Sequence, residues 1–169
     1  MKAYFSAKHA ITKEEYMSSI YGTNFQYEGD SYTVLKEVCI NKAYCNCSWF
    51  LDNLWIEGEQ ADASTLLGQK WYTSEELSSV IGCLGNSFIY FARMRCYPMP
   101  NIIDSIVSFK DFLQSQCKLI VLITDFRFYE IYTKNMDELL LLNNTFLTTL
   151  SINAKVYCRE KMTRTRLTL

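Results

Sequence analysis

Along this chain the spacing of apolar and polar positions changes from one stretch to the next, and the changes predict the elements. Leu119-Ile120-Val121-Leu122-Ile123 is a run of five apolar residues followed by polar Thr124-Asp125. Such a run predicts a strand buried on both faces, with a covering layer on each side. That strand is expected over 117–125, with Arg127 to Thr133 returning beside it as a hairpin partner. Phe25 and Tyr27 alternate with polar residues between Asn24 and Glu28, predicting another strand, and Ser87 to Met94 reads as a longer one that Pro98 and Pro100 bring to an end. Between Ser48 and Glu57, Trp49, Phe50 and Leu51 are separated from Leu54, Trp55 and Ile56 by Asp52-Asn53, which predicts two short strands meeting at a polar turn. Ile152 to Cys158 and Arg164 to Leu169 complete the strands.

Helices are announced by their caps. Asp30 precedes a helix over 31–38, Thr73 with Glu76 forms a capping box for a helix to about Ile81, and Ser108 with Asp111 caps a short helix over 109–115. Asn135, with Glu138 at the third helical position, opens the longest helix, to about Thr149. Its Met136, Leu139, Leu140, Leu142, Phe146 and Leu150 make an apolar stripe. Thr12 and Glu15 have capping-box spacing as well, in a segment expected to end with Gly22 at a helix C′ position. The stretch from Glu57 to Gly68 has the composition of a surface loop with a helical turn at 62–67. These elements give an α+β class, a mixed and mainly antiparallel sheet with three to five helices, in which 1–23 is an N-terminal extension and 24–169 a single domain.

Gly29-Asp30-Ser31-Tyr32 with Val34-Leu35-Lys36, Ser108-Phe109-Lys110-Asp111-Phe112-Leu113, Cys117 to Ile123, Ile131-Tyr132-Thr133-Lys134-Asn135 and the terminal Thr163-Arg164-Thr165-Arg166-Leu167 together resemble a family of small bacterial proteins, the domain of unknown function number 2691. The resemblance covers about residues 24–169. It implies a cytoplasmic bacterial protein and carries no catalytic residues.

Composition narrows the classes. Of 169 residues 49% are hydrophobic and 15% aromatic, so the chain has the apolar content to fold alone rather than remain disordered. A formal charge of −1 provides no global field for nucleic acid or an anionic membrane. The longest apolar runs, 119–123 and 139–142, fall far short of a membrane span, and the first residues lack a secretory core. Seven scattered cysteines, an odd number, fit reduced thiols in the cytoplasm better than a disulfide framework.

Candidate chemistry is sparse. His9 is the only imidazole, so any Ser-His or Cys-His mechanism must use it, yet it lies in the extension. Cys45 and Cys47 are one residue apart, which is wrong for a zinc knuckle, and no metal or cofactor is expected. Asp104, Asp125 and Glu130 are isolated acids, and Asp125 suits a turn after the central strand. Arg93 with Arg95 and Arg164 with Arg166 each project together from a strand, and on neighbouring strands they would form a basic face for an anionic ligand, or else guard a sheet edge. Trp71-Tyr72, between a polar loop and a helix cap, is expected to stay partly exposed and to contribute to a contact surface.

The leading reading is a non-enzymatic cytoplasmic binding module that works through a protein–protein contact, of inhibitor or immunity type, using Trp71 and Tyr72 with help from Arg93, Arg95, Arg164 and Arg166. The alternatives are a hydrolase or transferase using carboxylates and a thiol, and a sensor of an anionic ligand or nucleic acid through the arginines.

Overall fold

The computed structural model describes residues 20–57, 71–84, 87–98, 100 and 104–158. Within them lie strands β1 (Tyr21–Gln26), β2 (Ser48–Glu57), β3 (Trp71–Thr73), β4 (Phe88–Tyr97), β5 (Leu119–Thr124), β6 (Phe128–Thr133) and β7 (Lys155–Cys158). The helices are α1 (Ser31–Ile40), α2 (Ser74–Gly82), α3 (Phe109–Gln114) and α4 (Met136–Leu150). All seven strands join one sheet in the order β3-β2-β4-β5-β6-β1-β7, and every neighbouring pair is antiparallel. The α+β class is therefore as the sequence predicts.

β5 is the fourth of the seven strands, and its residues Leu119 to Ile123 are all 0% exposed. Period two divides them. Leu119, Val121 and Ile123 pack under α1, α2 and α4, whereas Ile120 and Leu122 pack with Phe109 and Phe112 of α3 and with Ile106. Among the described residues helices thus cover both faces, three on one and a single short one on the other.

The caps form where the sequence places them. Asp30 accepts from the Thr33 backbone N–H at 2.7 Å, and Thr73/Glu76 and Ser108/Asp111 are reciprocal capping boxes. At the start of α4, the Asn135 side chain accepts from the backbone N–H groups of Asp137 and Glu138.

Four expectations need correction. Gly22 does not end a helix: it lies within β1, where a Cβ would come 2.7 Å from the Tyr157 ring and 3.0 Å from that of Tyr132. The glycine is there for close approach of two rings. Asp52-Asn53 is not a turn between two strands, because β2 runs through it and keeps pairing with β4 on either side of a register shift. Leu140 leaves the buried stripe of α4, being 51% exposed, while Leu139, Leu142 and Phe146 are fully buried. The strand expected from Ile152 begins only at Lys155, after a left-handed Ser151 closes α4. The cap at Thr12, the helical turn at 62–67 and the strand at 164–169 lie outside the described residues.

Candidate functional site

The arginine pair is the sharpest test of the sequence reading. Arg93 and Arg95 do project from one face of β4, but a carboxylate lies between them. Asp52 stands directly across on β2, opposite Arg93 in the ladder. Its Oδ1 accepts from Arg93 Nε at 2.7 Å, and its Oδ2 accepts from both Arg93 Nη2 and, at 2.9 Å, Arg95 Nη2. Arg95 donates further to the Asp104 carbonyl at 2.6 Å, stacks its guanidinium 4.7 Å from the Phe50 ring centre, and is only 3% exposed. Hydrogen bonding to Asp52 raises the Arg93 pKa above its ordinary value, so its guanidinium holds its charge. The structure assembles a cross-strand ion triad in place of an open basic face. β4 is flanked by β2 and β5 on its two edges. Arg164 and Arg166 themselves lie outside the described residues.

Trp71 and Tyr72 separate. They occupy β3, where alternate residues face opposite ways, and Tyr72 turns inward to 2% exposure among the residues beneath the helices. Trp71 is half-buried, with its ring 5.1 Å from Phe50 and 5.5 Å from Tyr97. The expected partial exposure is found for Trp71 and not for Tyr72, because a three-residue strand paired to β2 imposes period two on what reads in the sequence as loop.

The remaining candidates do not converge. Cys45 is exposed and Cys47 buried, so the two thiols of the C-x-C point to different environments. Cys47 hydrogen-bonds Cys96, which brings its pKa down to about 7 against the opposing effect of burial, while burial pushes Cys96 well up. Burial alone pushes Cys39 up to about 12, so its thiol stays protonated at neutral pH and is a poor nucleophile. Each acid has its own partner: Asp104 accepts from Gln116 N–H at 2.9 Å, Asp125 pairs with Arg127 at 3.8 Å, and Glu130 accepts from the Tyr132 hydroxyl at 2.6 Å. A groove of about 660 Å³ between α1 and α2 contains Glu75, Cys39 and Cys45 but none of those three acids. His9 lies outside the described residues.

A different group of residues does converge. Where β2 ends, β4 begins and β5 turns into β6, Trp55 lies 5.2 Å from Tyr90 and 5.6 Å from Phe91. Tyr90 continues to Phe126 at 5.9 Å, and Phe126 to Phe88 at 5.8 Å. Arg127 extends the series, its guanidinium 5.7 Å from the Phe126 ring and 5.2 Å from that of Phe128. Trp55 is 54% exposed, Phe88 49% and Phe128 41%.

Local backbone geometry creates this arrangement. Trp49 and Leu51 face the helices, and simple alternation would put residues 53 and 55 on that face too. The ladder with β4 shifts register between Asp52 and Trp55, and Asn53 has a φ of 50°. Beyond the shift it is Leu54 and Ile56 that pack toward the helices, which sends Trp55 outward. At the β5–β6 turn Asp125 and Phe126 both have positive φ, 52° and 49°. A phenylalanine in this region is strained by roughly 1–3 kcal/mol, a cost that its ring contacts with Tyr90 and Phe88 help to offset. The Asp125 carboxylate hydrogen-bonds the Tyr90 hydroxyl and raises its pKa. Trp55, Phe88, Tyr90 and Phe91 are visible in the sequence as aromatic residues of predicted strands, but nothing there marks them as exposed. The one sequence signal is Asp52-Asn53, which denotes an irregularity though not its kind.

The family model described as protein of unknown function (DUF2691) matches residues 20–168. The chain belongs to that family. No curated protein and no solved structure matches it. Among the described residues, no helix is long and apolar enough to cross a membrane.

Proposed function

We propose that this member of the family is a non-enzymatic binding module, working in the cytoplasm through a protein–protein contact made by the aromatic end of its sheet, in the manner of an inhibitor or immunity-type protein. One observation carries the reading: Trp55, Phe88 and Phe128 stand exposed on a rigid antiparallel ladder, in contact with further rings and with Arg127. Tryptophan, tyrosine and arginine are the residues that dominate interface energies, and exposed apolar patches of contiguous side chains mark contact sites. Preorganisation favours binding, because rings held by a ladder and a strained turn lose little further freedom on association. The six described free thiols, at Cys39, Cys45, Cys47, Cys83, Cys96 and Cys117, are in keeping with a reducing compartment.

The test is affinity capture from the native host, followed by calorimetry with the purified partner, for wild type, Trp55→Ala, Phe128→Ala and Trp71→Ala. Trp55→Ala and Phe128→Ala are expected to weaken binding by roughly tenfold or more while the fold is retained. Trp71→Ala, which removes a half-buried ring in edge contact with Phe50 and Tyr97, serves as the control and keeps partner affinity. Equal affinity for wild type and Trp55→Ala contradicts the proposal.

A further inference from the structure

The outward side of α4 carries a second apolar surface, unrelated to the aromatic end. The helix packs inward through Leu139, Leu142 and Phe146, yet Leu140, Leu141 and Leu147 are 51%, 47% and 52% exposed. At 100° per residue the three leucines surround Asn144, which points almost directly away from the buried stripe and is itself exposed. Three exposed leucines within two turns of one helix are contiguous, unlike the scattered apolar residues that every surface tolerates.

The order of these residues is symmetric about Asn144. Leu141 and Leu147 each stand three residues from it, and Leu140 and Thr148 each stand four. Asp137 and Ser151 each stand seven away. A second α4 laid antiparallel about a twofold axis at Asn144 would bring Leu140 against Leu147, Leu141 against Thr148 and Asn144 against Asn144. Thr148 fits an apolar neighbour, because its hydroxyl already donates to the Asn144 carbonyl at 2.8 Å and its methyl is left for the contact. A carboxamide carries one acceptor and one donor group, so two of them on an axis satisfy each other, as a lone asparagine does in a coiled-coil seam. Charge selects the same direction. Asp137 and Glu138 lie in the first turn and no basic residue lies in the last. Parallel pairing would set these carboxylates together, whereas antiparallel pairing separates them along the helix and opposes the two macrodipoles.

We infer that α4 is a self-association surface, and that two copies of this chain pair through antiparallel α4 helices about a twofold axis at Asn144. The contact is isologous, so it closes at a dimer. A pair of fifteen-residue helices buries less than a standard interface of roughly 1,600 Å², so the dimer is weak and depends on concentration.

Sedimentation equilibrium of the full chain over about 5–500 µM is expected to show monomer passing to dimer, with Leu147→Glu raising the dissociation constant by roughly tenfold or more at unchanged circular dichroism. Cross-linking fixes the geometry. In a Cys45→Ser/Cys83→Ser background, Asn144→Cys is expected to form a disulfide-linked dimer under mild oxidation and Asp137→Cys is not. A monomer throughout that range overturns the inference. So do a dimer insensitive to Leu147→Glu, and equal cross-linking at positions 137 and 144, which would mean parallel helices. Both readouts are independent of any other protein, so they stand or fall separately from the contact proposed for Trp55.

Discussion

Two tryptophans on one strand show how this fold divides its aromatic residues. Trp49 is 0% exposed, packed beneath the helices, with its indole N–H donating to Ser74 Oγ at 2.9 Å. Trp55, six residues along β2, is 54% exposed. An even spacing should leave both on the same face. They differ because the ladder slips once between them, at the left-handed Asn53, and every side chain beyond it changes face. An irregular stretch of the ladder, with register shifts on both sides of Trp55, therefore separates a residue that holds the core together from one offered to a partner. Exposure of a large ring is a matter of register here, and neither residue type nor neighbouring composition reveals it.

The largest expected difference is between the two truncations themselves. Trp49→Ala should destabilise by about 3–5 kcal/mol, from lost burial, a cavity and the lost indole hydrogen bond to Ser74. Trp55→Ala should stay within about 1 kcal/mol of wild type, and urea unfolding of the two variants measures the contrast. Comparable losses would mean that Trp55 belongs to the core.

Asp52→Ala addresses the boundary between the regions. Asp52 immediately precedes the slip and holds Arg93 and the 3%-exposed Arg95. Leaving two guanidinium groups partly buried without their carboxylate should cost about 2–4 kcal/mol, somewhat below the full cost of breaking a buried pair because Asp52 retains 18% exposure. A loss under about 0.5 kcal/mol would make the triad a mere surface ion pair.

How much of this was legible in the sequence follows the range of the interactions involved. The capping residues Asp30, Thr73, Ser108 and Asn135 were readable because each cap is settled within four residues. β5 was readable because burial on both faces leaves no polar position. Asp52-Asn53 reads in the sequence as a turn, since the same polar pair suits a turn or a bulge and only the continuing ladder with β4 decides. The i, i+2 spacing of Arg93 and Arg95 correctly put them on one face, but their partner is forty-one residues from Arg93 in sequence and becomes adjacent only through cross-strand register. Tyr72 and Leu140 were assigned to the wrong side for the same reason. A short strand and a wide apolar helix each leave the inward direction to tertiary packing.

Titration separates core from periphery as well. Burial pushes the thiols of Cys39 and Cys117 from 9.0 up to about 12. Between those values the folded state keeps protons that the unfolded chain releases, so stability falls as pH rises through this window. The slope is up to about 1.4 kcal/mol per pH unit for each thiol. Cys39→Ala/Cys117→Ala should flatten the alkaline decline in urea midpoints, and an unchanged slope would place its origin elsewhere. Asn53→Val, which forces a β-branched residue into the left-handed region, should cost about 1–2 kcal/mol. Asn53→Gly should be close to neutral, and equal behaviour of the two would show that the slip does not depend on this backbone conformation.

The most direct measurement is the fluorescence of Trp55 alone, in a Trp49→Phe/Trp71→Phe protein, with iodide as quencher, before and after addition of the captured partner. The account predicts red emission that iodide quenches freely, shifting to blue and becoming protected when the partner binds. Emission that is already blue and shielded in the free protein, or that stays open to iodide in the complex, would contradict it.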